Sequence, residues 1–300
     1  MCGSEYTICI VQLYCMLDPA PLRRYHDRMD EQSANNPFFI DSLNHPLAGP
    51  IRKLLHRDGR RELGQILIDD EENILQALEA GIEIDSVYYA GEETISEPLR
   101  QKLTAGATIH EVAKRTTKKL FENDKISRIF AIAQTPKPIA LEALKDVKKD
   151  LVVLEDLSIS GNIGNITRTS LALGIGGIIL LNMDPIDLYD RRLIRASRGY
   201  LFSLPMITAS TPDFLEYCRK NNETLLVMDM QAEKTIDDLA SIPSRMFIAF
   251  GSEKEGCSPE IENAATIKAR IPISDRVESL NVSASAGITL YSRSKFNQTV

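Results

Sequence analysis

Five polar side chains in the second half of the chain, Asn162, Arg168, Glu253, Ser279 and Asn281, stand in three segments, two of them glycine-bearing, with spacing suited to holding a ligand. In residues 154–169, Arg168 follows Asn162 by six positions, so that the two could face one pocket. A guanidinium offers a planar fork of donors that holds two oxygens at once. Gly161 and Gly164 leave room for backbone to approach a ligand. In residues 250–258, Gly251 and Gly256 flank Glu253, a carboxylate able to orient a polar group. In residues 271–283, Ser279 and Asn281 precede a helix rich in Ala, Ser and Gly. Taken singly, each segment also reads as an ordinary loop, with Asn or Ser as helix caps and charges in solvent. Gly161 and Gly164 give G-x-x-G but not the full G-x-G-x-x-G of a dinucleotide site.

Each segment follows an apolar run that reads as a strand: Leu151–Leu154, Met246–Phe250 and Ile267–Ile273. A helix near Ile166–Leu173 and a strand at Gly177–Leu181 complete a βαβ unit, which implies a parallel sheet. Ligands bind at the carboxyl ends of such strands, which is where all three segments fall. A further strand is predicted at Thr224–Met228, with helices at Pro212–Lys220, Pro259–Ala264 and Asn281–Ser292. Ahead of these lies a small α/β sandwich of about 90 residues. Its strands are predicted at Ile82–Tyr89, Ala107–Val112 and Arg128–Gln134, and its helices at Asp69–Ala80, Leu99–Leu103 and Thr116–Phe121. The expected division is a partly ordered extension over 1–45, a small α/β domain over 46–140 and a larger α/β domain over 148–300.

Composition narrows the function classes. No apolar run approaches the length of a membrane span, and the apolar stretch Tyr6–Leu17 lacks a basic leader and a small-residue cleavage site, so a cytoplasmic protein without a membrane partner is expected. Five cysteines without a C-x-x-C pair, and four histidines scattered through the first half, argue against structural zinc or disulfides; no metal is expected. The net charge of −7 works against phosphate binding, but the basic residues cluster. One group is Arg52, Lys53, Arg57, Arg60 and Arg61; a second is Lys114, Arg115, Lys118, Lys119, Lys125 and Arg128; a third is Arg191, Arg192, Arg195 and Arg198. Each alone is also what a solvated helix face looks like.

Together and in this order, the three segments resemble the motifs of the SpoU branch of the SPOUT methyltransferases, over roughly residues 150–292, with the run Glu278–Ser283 the most specific. Residues 119–138, 158–174 and 190–205 further resemble the thiostrepton- and nosiheptide-resistance ribosomal RNA methyltransferases. The resemblance implies a catalytic domain tied in a trefoil knot, an architecture nearly absent elsewhere, preceded by a ribosomal-protein-like RNA-binding domain. It implies S-adenosyl-L-methionine as cofactor, ribosomal RNA as partner and a homodimer that completes the site. The motif positions fall on Asn162, Arg168, Glu253, Ser279 and Asn281 as catalytic residues. Cofactor contacts fall on Phe250, Gly251, Gly256, Ile271, Ser279 and Leu280. RNA contacts are expected from Lys114, Arg115, Lys118, Lys119, Arg128, Arg195 and Arg198.

The implied reaction is 2′-O-methylation of a ribose in 23S ribosomal RNA, at an adenosine of the thiopeptide-binding GTPase-associated region, giving antibiotic resistance. The alternatives are another rRNA or tRNA nucleotide, or a catalytically silent RNA-binding homologue; intact Asn162, Arg168, Glu253 and Asn281 speak against silence. A generic nucleotide-binding Rossmann protein has no place for the third motif. A ribose hydroxyl needs a base to take its proton, and the three motifs hold no histidine. Arginine is a poor base, its pKa lying above about 12, so Arg168 has two open roles: base in an unusual environment, or bidentate positioner of a phosphate.

Overall fold

The computed structural model describes residues 38–121, 124–252 and 255–299. The chain divides into two compact units, one ending at Lys137 and the other starting at Pro138.

The first unit is built on five strands: β1 (Phe39–Ile40), β2 (Gln65–Asp69), β3 (Ile84–Ala90), β4 (Thr108–Val112) and β5 (Ile129–Gln134), in the order β1-β4-β3-β5-β2. β4 runs parallel to β1 and β3, while β5 is antiparallel to β3 and β2. Helices α1 (Ala48–Leu54), α2 (Arg57–Leu63), α3 (Glu71–Glu79), α4 (Glu97–Lys102) and α5 (Lys114–Leu120) accompany it. The sheet therefore starts at Phe39, inside the stretch expected to be an extension ahead of residue 46. Gly64, at φ 62°, ends α2 in the left-handed conformation and turns the chain into β2. Buried Ile40, Ile51, Leu54, Leu67, Val112 and Leu120 form the core with Phe121 and Phe130. Tyr88 lies between two rings there, 4.8 Å from Phe130 and 5.1 Å from His110. On α5, Thr116, Thr117 and Leu120 point inward, leaving Lys114, Arg115, Lys118 and Lys119 exposed on one face.

The second unit holds β6 (Leu151–Glu155), β7 (Ile178–Leu181), β8 (Met206–Ala209), β9 (Leu225–Met228), β10 (Lys234–Thr235), β11 (Phe247–Phe250) and β12 (Ile267–Arg270). Their order is β10-β12-β9-β11-β6-β7-β8 and every pairing is parallel. β6 and β11 are buried along their whole length, as strands covered on both faces must be. The helices are α6 (Ser160–Ala172), α7 (Arg191–Ala196), α8 (Thr211–Asn221), α9 (Ile236–Leu239), α10 (Pro259–Ala264), α11 (Val282–Ser292) and α12 (Ser294–Thr299). From β6 the chain steps outward to β7 and β8, then returns to build the other side, so β6 and β11 flank the point where strand order reverses.

A fully buried ion pair fixes the last helices beneath this sheet. Arg293 donates to Asp150 at 2.9 and 3.0 Å and to the carbonyls of Leu239, Ile242 and Ser244. Asn297 adds a donor to Asp150 at 2.9 Å and accepts from its backbone N–H at 2.7 Å. The Arg293 donors thus meet the acceptors that a desolvated guanidinium needs.

Candidate functional site

Because the second sheet is wholly parallel, the loops after β6, β11 and β12 emerge at one edge. β6 and β11 are neighbours; β12 is separated from β11 by β9, whose own exit at Asp229 joins that edge through Asp229 N to the carbonyl of Ala269 at 3.0 Å.

The first segment is helical from Ser160, six residues before the predicted start at Ile166. Ile163, Ile166, Thr167 and Ser170 are buried on one side of α6. Gly164 does not face a ligand: a Cβ there would lie 2.5 Å from Ala196, so this glycine permits α6 to cross the end of α7. Gly161, by contrast, has open space around it. Asn162 and Arg168 are about 9 Å apart along the axis and about 120° apart around it. Arg168, the ninth residue of α6, lies on an exposed stripe with Gly161, Asn165 and Ala172. Among the described residues it makes no hydrogen bond or ion pair.

Asn162 is instead joined to the third segment. The Asn281 side chain donates to Asn162 Oδ1 at 3.2 Å, while its own Oδ1 accepts from Ser283 N at 2.9 Å and Ser283 Oγ at 2.6 Å. Asn281 is thus the N-cap of α11 and a link to α6 at once. Gly287 of α11 faces Thr169 of α6 closely enough that a Cβ would sit 3.8 Å from its methyl. Between β12 and α11 the loop is irregular: Ile271 and Leu280 are half-buried and Ser279 is exposed.

The second segment closes on itself. Ser252 and Gly256 exchange backbone hydrogen bonds at 3.0 Å each way. A Cβ on Gly251 would fall 1.9 Å from the carbonyl of Gly256, and Gly256 has φ 72°, so both positions need glycine. Phe250 is buried at the end of β11. Burial pushes the Cys257 thiol up to about 12, which keeps it protonated and unreactive as a nucleophile. Glu253 lies outside the described residues.

Two groups escaped the sequence reading. Glu155, the last residue of β6, is buried and accepts from Ser258 N at 2.7 Å, Ser258 Oγ at 2.8 Å and Thr211 Oγ1 at 3.2 Å. Asp156 and Asn182, at the exits of β6 and β7, have φ of 52° and 61°, conformations of the kind that cluster at functional sites. An acidic residue closing an apolar strand was the only available signal for Glu155.

Of the basic residues, Lys114, Arg115, Lys118 and Lys119 share the exposed face of α5, whereas Arg128 is paired with Glu93 at 2.9 Å. Arg195 is half-buried and Arg198 exposed near α6, but their neighbour Arg191 is only 2% exposed and is no solvated charge. Arg60 of the first basic group is buried too. Among the described residues no group of three His, Cys, Asp or Glu side chains is placed to hold a metal ion, and no helix is long and apolar enough to cross a membrane.

Residues 149–291 match the SpoU rRNA Methylase family, and residues 37–147 match the family described as thiostrepton-resistance methylase, N terminus. The 23S rRNA (adenosine(1067)-2′-O)-methyltransferase of Streptomyces azureus is 33% identical over 257 residues, 85% of this chain and 96% of that protein. A solved RNA 2′-O ribose methyltransferase superposes with a TM-score of 0.75 at 29% identity, covering 87% of this chain and 99% of the other. An AdoMet-bound rRNA methyltransferase from Sinorhizobium meliloti does so with a TM-score of 0.73 at 25% identity, over 86% and 97%. With both units matched and the three motif loops at one sheet edge, the chain belongs to the SpoU rRNA methylase family, as a methyltransferase with a thiostrepton-resistance methylase N-terminal domain.

Proposed function

We propose that the protein methylates the 2′-hydroxyl of an adenosine in 23S ribosomal RNA, in the cytoplasm, within the GTPase-associated region where thiopeptides bind, and that this methylation gives resistance. The observation that carries this reading is the similarity, over 85% of this chain and across both units, to a methyltransferase named for adenosine 1067 of 23S rRNA. The structure adds an exposed arginine, Arg168, on α6, the helix that also carries Asn162 of the linked pair Asn162 and Asn281, and among the described residues it makes no hydrogen bond or ion pair.

The residues present fit S-adenosylmethionine. Gly251 and Gly256 hold a tight loop, the space beside Gly256 is open, and Ile271 and Leu280 offer apolar walls for an adenosine. When bound, the cofactor supplies an electrophilic methyl on a positive sulfur, so activation is already built into it. Phe250, Gly251, Gly256, Ile271, Ser279 and Leu280 would hold it. Glu253 would orient a polar group at the same loop. Arg168 would hold the ribose or its adjoining phosphate with the planar fork that lysine lacks, so that positioning lowers the barrier. Asn162 and Asn281 keep α6 and α11 in register, and Ser279 stands just ahead of α11.

RNA recognition falls to the first unit, read as ribosomal-protein-like, through Lys114, Arg115, Lys118 and Lys119, with Arg128, Arg195 and Arg198 in support. A homodimer is supported by α11, which leaves Ile288 40% and Tyr291 72% exposed one turn apart. A trefoil knot is supported by the return of the last helices to α6 after six intervening strands. Methyl transfer from labelled cofactor to 23S rRNA fragments and to tRNA tests the reading. A 2′-O-methyladenosine in the GTPase-associated fragment is expected; labelling of tRNA alone, or of neither, overturns it.

A further inference from the structure

We infer that Glu155 is a positioning residue for cofactor binding: its buried carboxylate sets where the loop after β11 sits relative to the start of α6. This rests on the reading that the loop after β11 holds S-adenosylmethionine.

β6 is Leu-Val-Val-Leu-Glu, and its last side chain is only 2% exposed. A carboxylate among such neighbours is costly unless its oxygens are satisfied. Here they are, and by two other segments. Ser258 gives both its backbone N–H, to Oε2, and its hydroxyl, to Oε1, while Thr211 gives a second hydroxyl to Oε1. No ion pair to Glu155 exists among the described residues, so hydrogen-bond geometry rather than a counter-ion fixes it.

Ser258 is where the loop after β11 ends and α10 begins; its hydroxyl also caps α10 by accepting from Ile261 N. Upstream, the loop is already closed by the Ser252–Gly256 pair and by the close approach at Gly251. Ser252 and Gly256 are thus paired with each other, and the exit of the loop at Ser258 is tied to Glu155. The next residue after Glu155 is Asp156, from which the chain turns into α6. Thr211, the third partner, also bonds Asn182, which reaches Asp156 at 3.4 Å. One carboxylate thereby couples the exits of β6, β8 and β11, and satisfied buried networks of this kind rigidify what they join.

The test compares Glu155→Asp with Glu155→Gln in the full-length protein. Aspartate withdraws the carboxylate by about 1.5 Å, one C–C bond, out of reach of Ser258. Glutamine keeps the length, with its oxygen for Ser258 N and its amide to donate to the two hydroxyls, each of which can accept. Calorimetric titration with S-adenosylmethionine is expected to show about tenfold to a hundredfold weaker binding for E155D, recovery in E155Q, and unchanged affinity for the rRNA fragment in both. Melting temperatures are read alongside. Unchanged cofactor affinity in folded E155D overturns the inference, as do equal losses in E155D and E155Q. Should E155D not fold, Ser258→Ala removes one donor and leaves Glu155 in place; weaker cofactor binding with unchanged RNA affinity supports the inference, and unchanged cofactor binding overturns it. Failure of the unmodified protein to bind the cofactor defeats the underlying reading before any variant is compared.

Discussion

The side-chain amide of Asn281 donates to Asn162 Oδ1 at 3.2 Å, joining two motifs 119 residues apart in the chain. The same side chain caps α11 through its oxygen, so its two ends do different work. Asn281→Asp keeps the capping oxygen and loses the donor to Asn162. It is expected to melt near the unmodified protein yet methylate RNA poorly. Asn281→Ala is expected to lose turnover and also about 1 kcal/mol of stability from the missing cap. Thermal unfolding and a methyl-transfer assay on both variants separate the roles; full turnover in N281D would leave Asn281 a cap and nothing more.

Gly161 and Gly164 look equivalent in the sequence and are opposite in the structure. A Cβ at Gly164 meets Ala196 backbone at 2.5 Å, whereas one at Gly161 meets nothing within 4 Å. Gly164→Ala is expected to destabilise by about 1–3 kcal/mol through overpacking at the α6–α7 crossing. Gly161→Ala is expected to be neutral or to add up to about 1 kcal/mol, since alanine favours helix. Urea midpoints of the two variants decide it.

That contrast shows where the sequence was legible. The buried strands β6 and β11, and β9 with only its last residue part-exposed, were legible to within a residue or two because continuous short apolar runs have few other uses. The N-terminal part of α6 reads as loop because Gly161, Asn162, Gly164 and Asn165 disfavour helix locally. Tertiary packing overrides that preference: Ile163 and Ile166 are buried, and α7 lies against Gly164. β8, four residues with a half-exposed end, and the two-residue strands β1 and β10 carry too little pattern to find. The motif residues were legible by type, but the Asn162–Asn281 hydrogen bond was not, since it depends on a crossover that no periodicity encodes. Arg191 and Arg60 read as solvated charges and are buried, an outcome that only the fold determines.

Arg293 and Asp150, both fully buried, form the ion pair that anchors the last helices. Arg293→Met leaves the carboxylate with only Asn297 and backbone donors. Its unfolding free energy is expected to fall by about 3–5 kcal/mol, the usual result of stranding a buried charge. Equilibrium unfolding in urea measures this, and a fall below about 1 kcal/mol would mean that α12 holds its place by packing alone.

Lys118 and Lys119 are exposed on α5 and have no ion-pair partner among the described residues, while Arg128 is held by Glu93. Neutralising both lysines is expected to flatten the dependence of RNA affinity on salt, by roughly 0.7–0.9 in log–log slope for each phosphate that is no longer neutralised. Arg128→Gln is expected to change that slope less, because its charge is already partly matched. Cofactor affinity should not move in either variant. Titrations of an rRNA fragment across a salt series read both effects, and an unchanged slope in the double-lysine variant would reduce these residues to solvated surface.

Arg168 carries the most exposed consequence of the proposed chemistry. It lies on the exposed stripe of α6 and makes no hydrogen bond or ion pair among the described residues. Arg168→Ala is therefore expected to keep its melting temperature and its affinity for S-adenosylmethionine while losing turnover on the order of 10²-fold or more. Arg168→Lys should recover little, because an ammonium is a point charge without the fork that grips two oxygens. Single-turnover methyl transfer with saturating cofactor isolates the step. If R168A turns over like the unmodified protein, Arg168 has no part in the reaction. If R168A instead loses cofactor affinity, its exposed side chain reaches the cofactor site and not the ribose, and the role of gripping the phosphate or ribose passes to the basic residues near α7, Arg195 and Arg198.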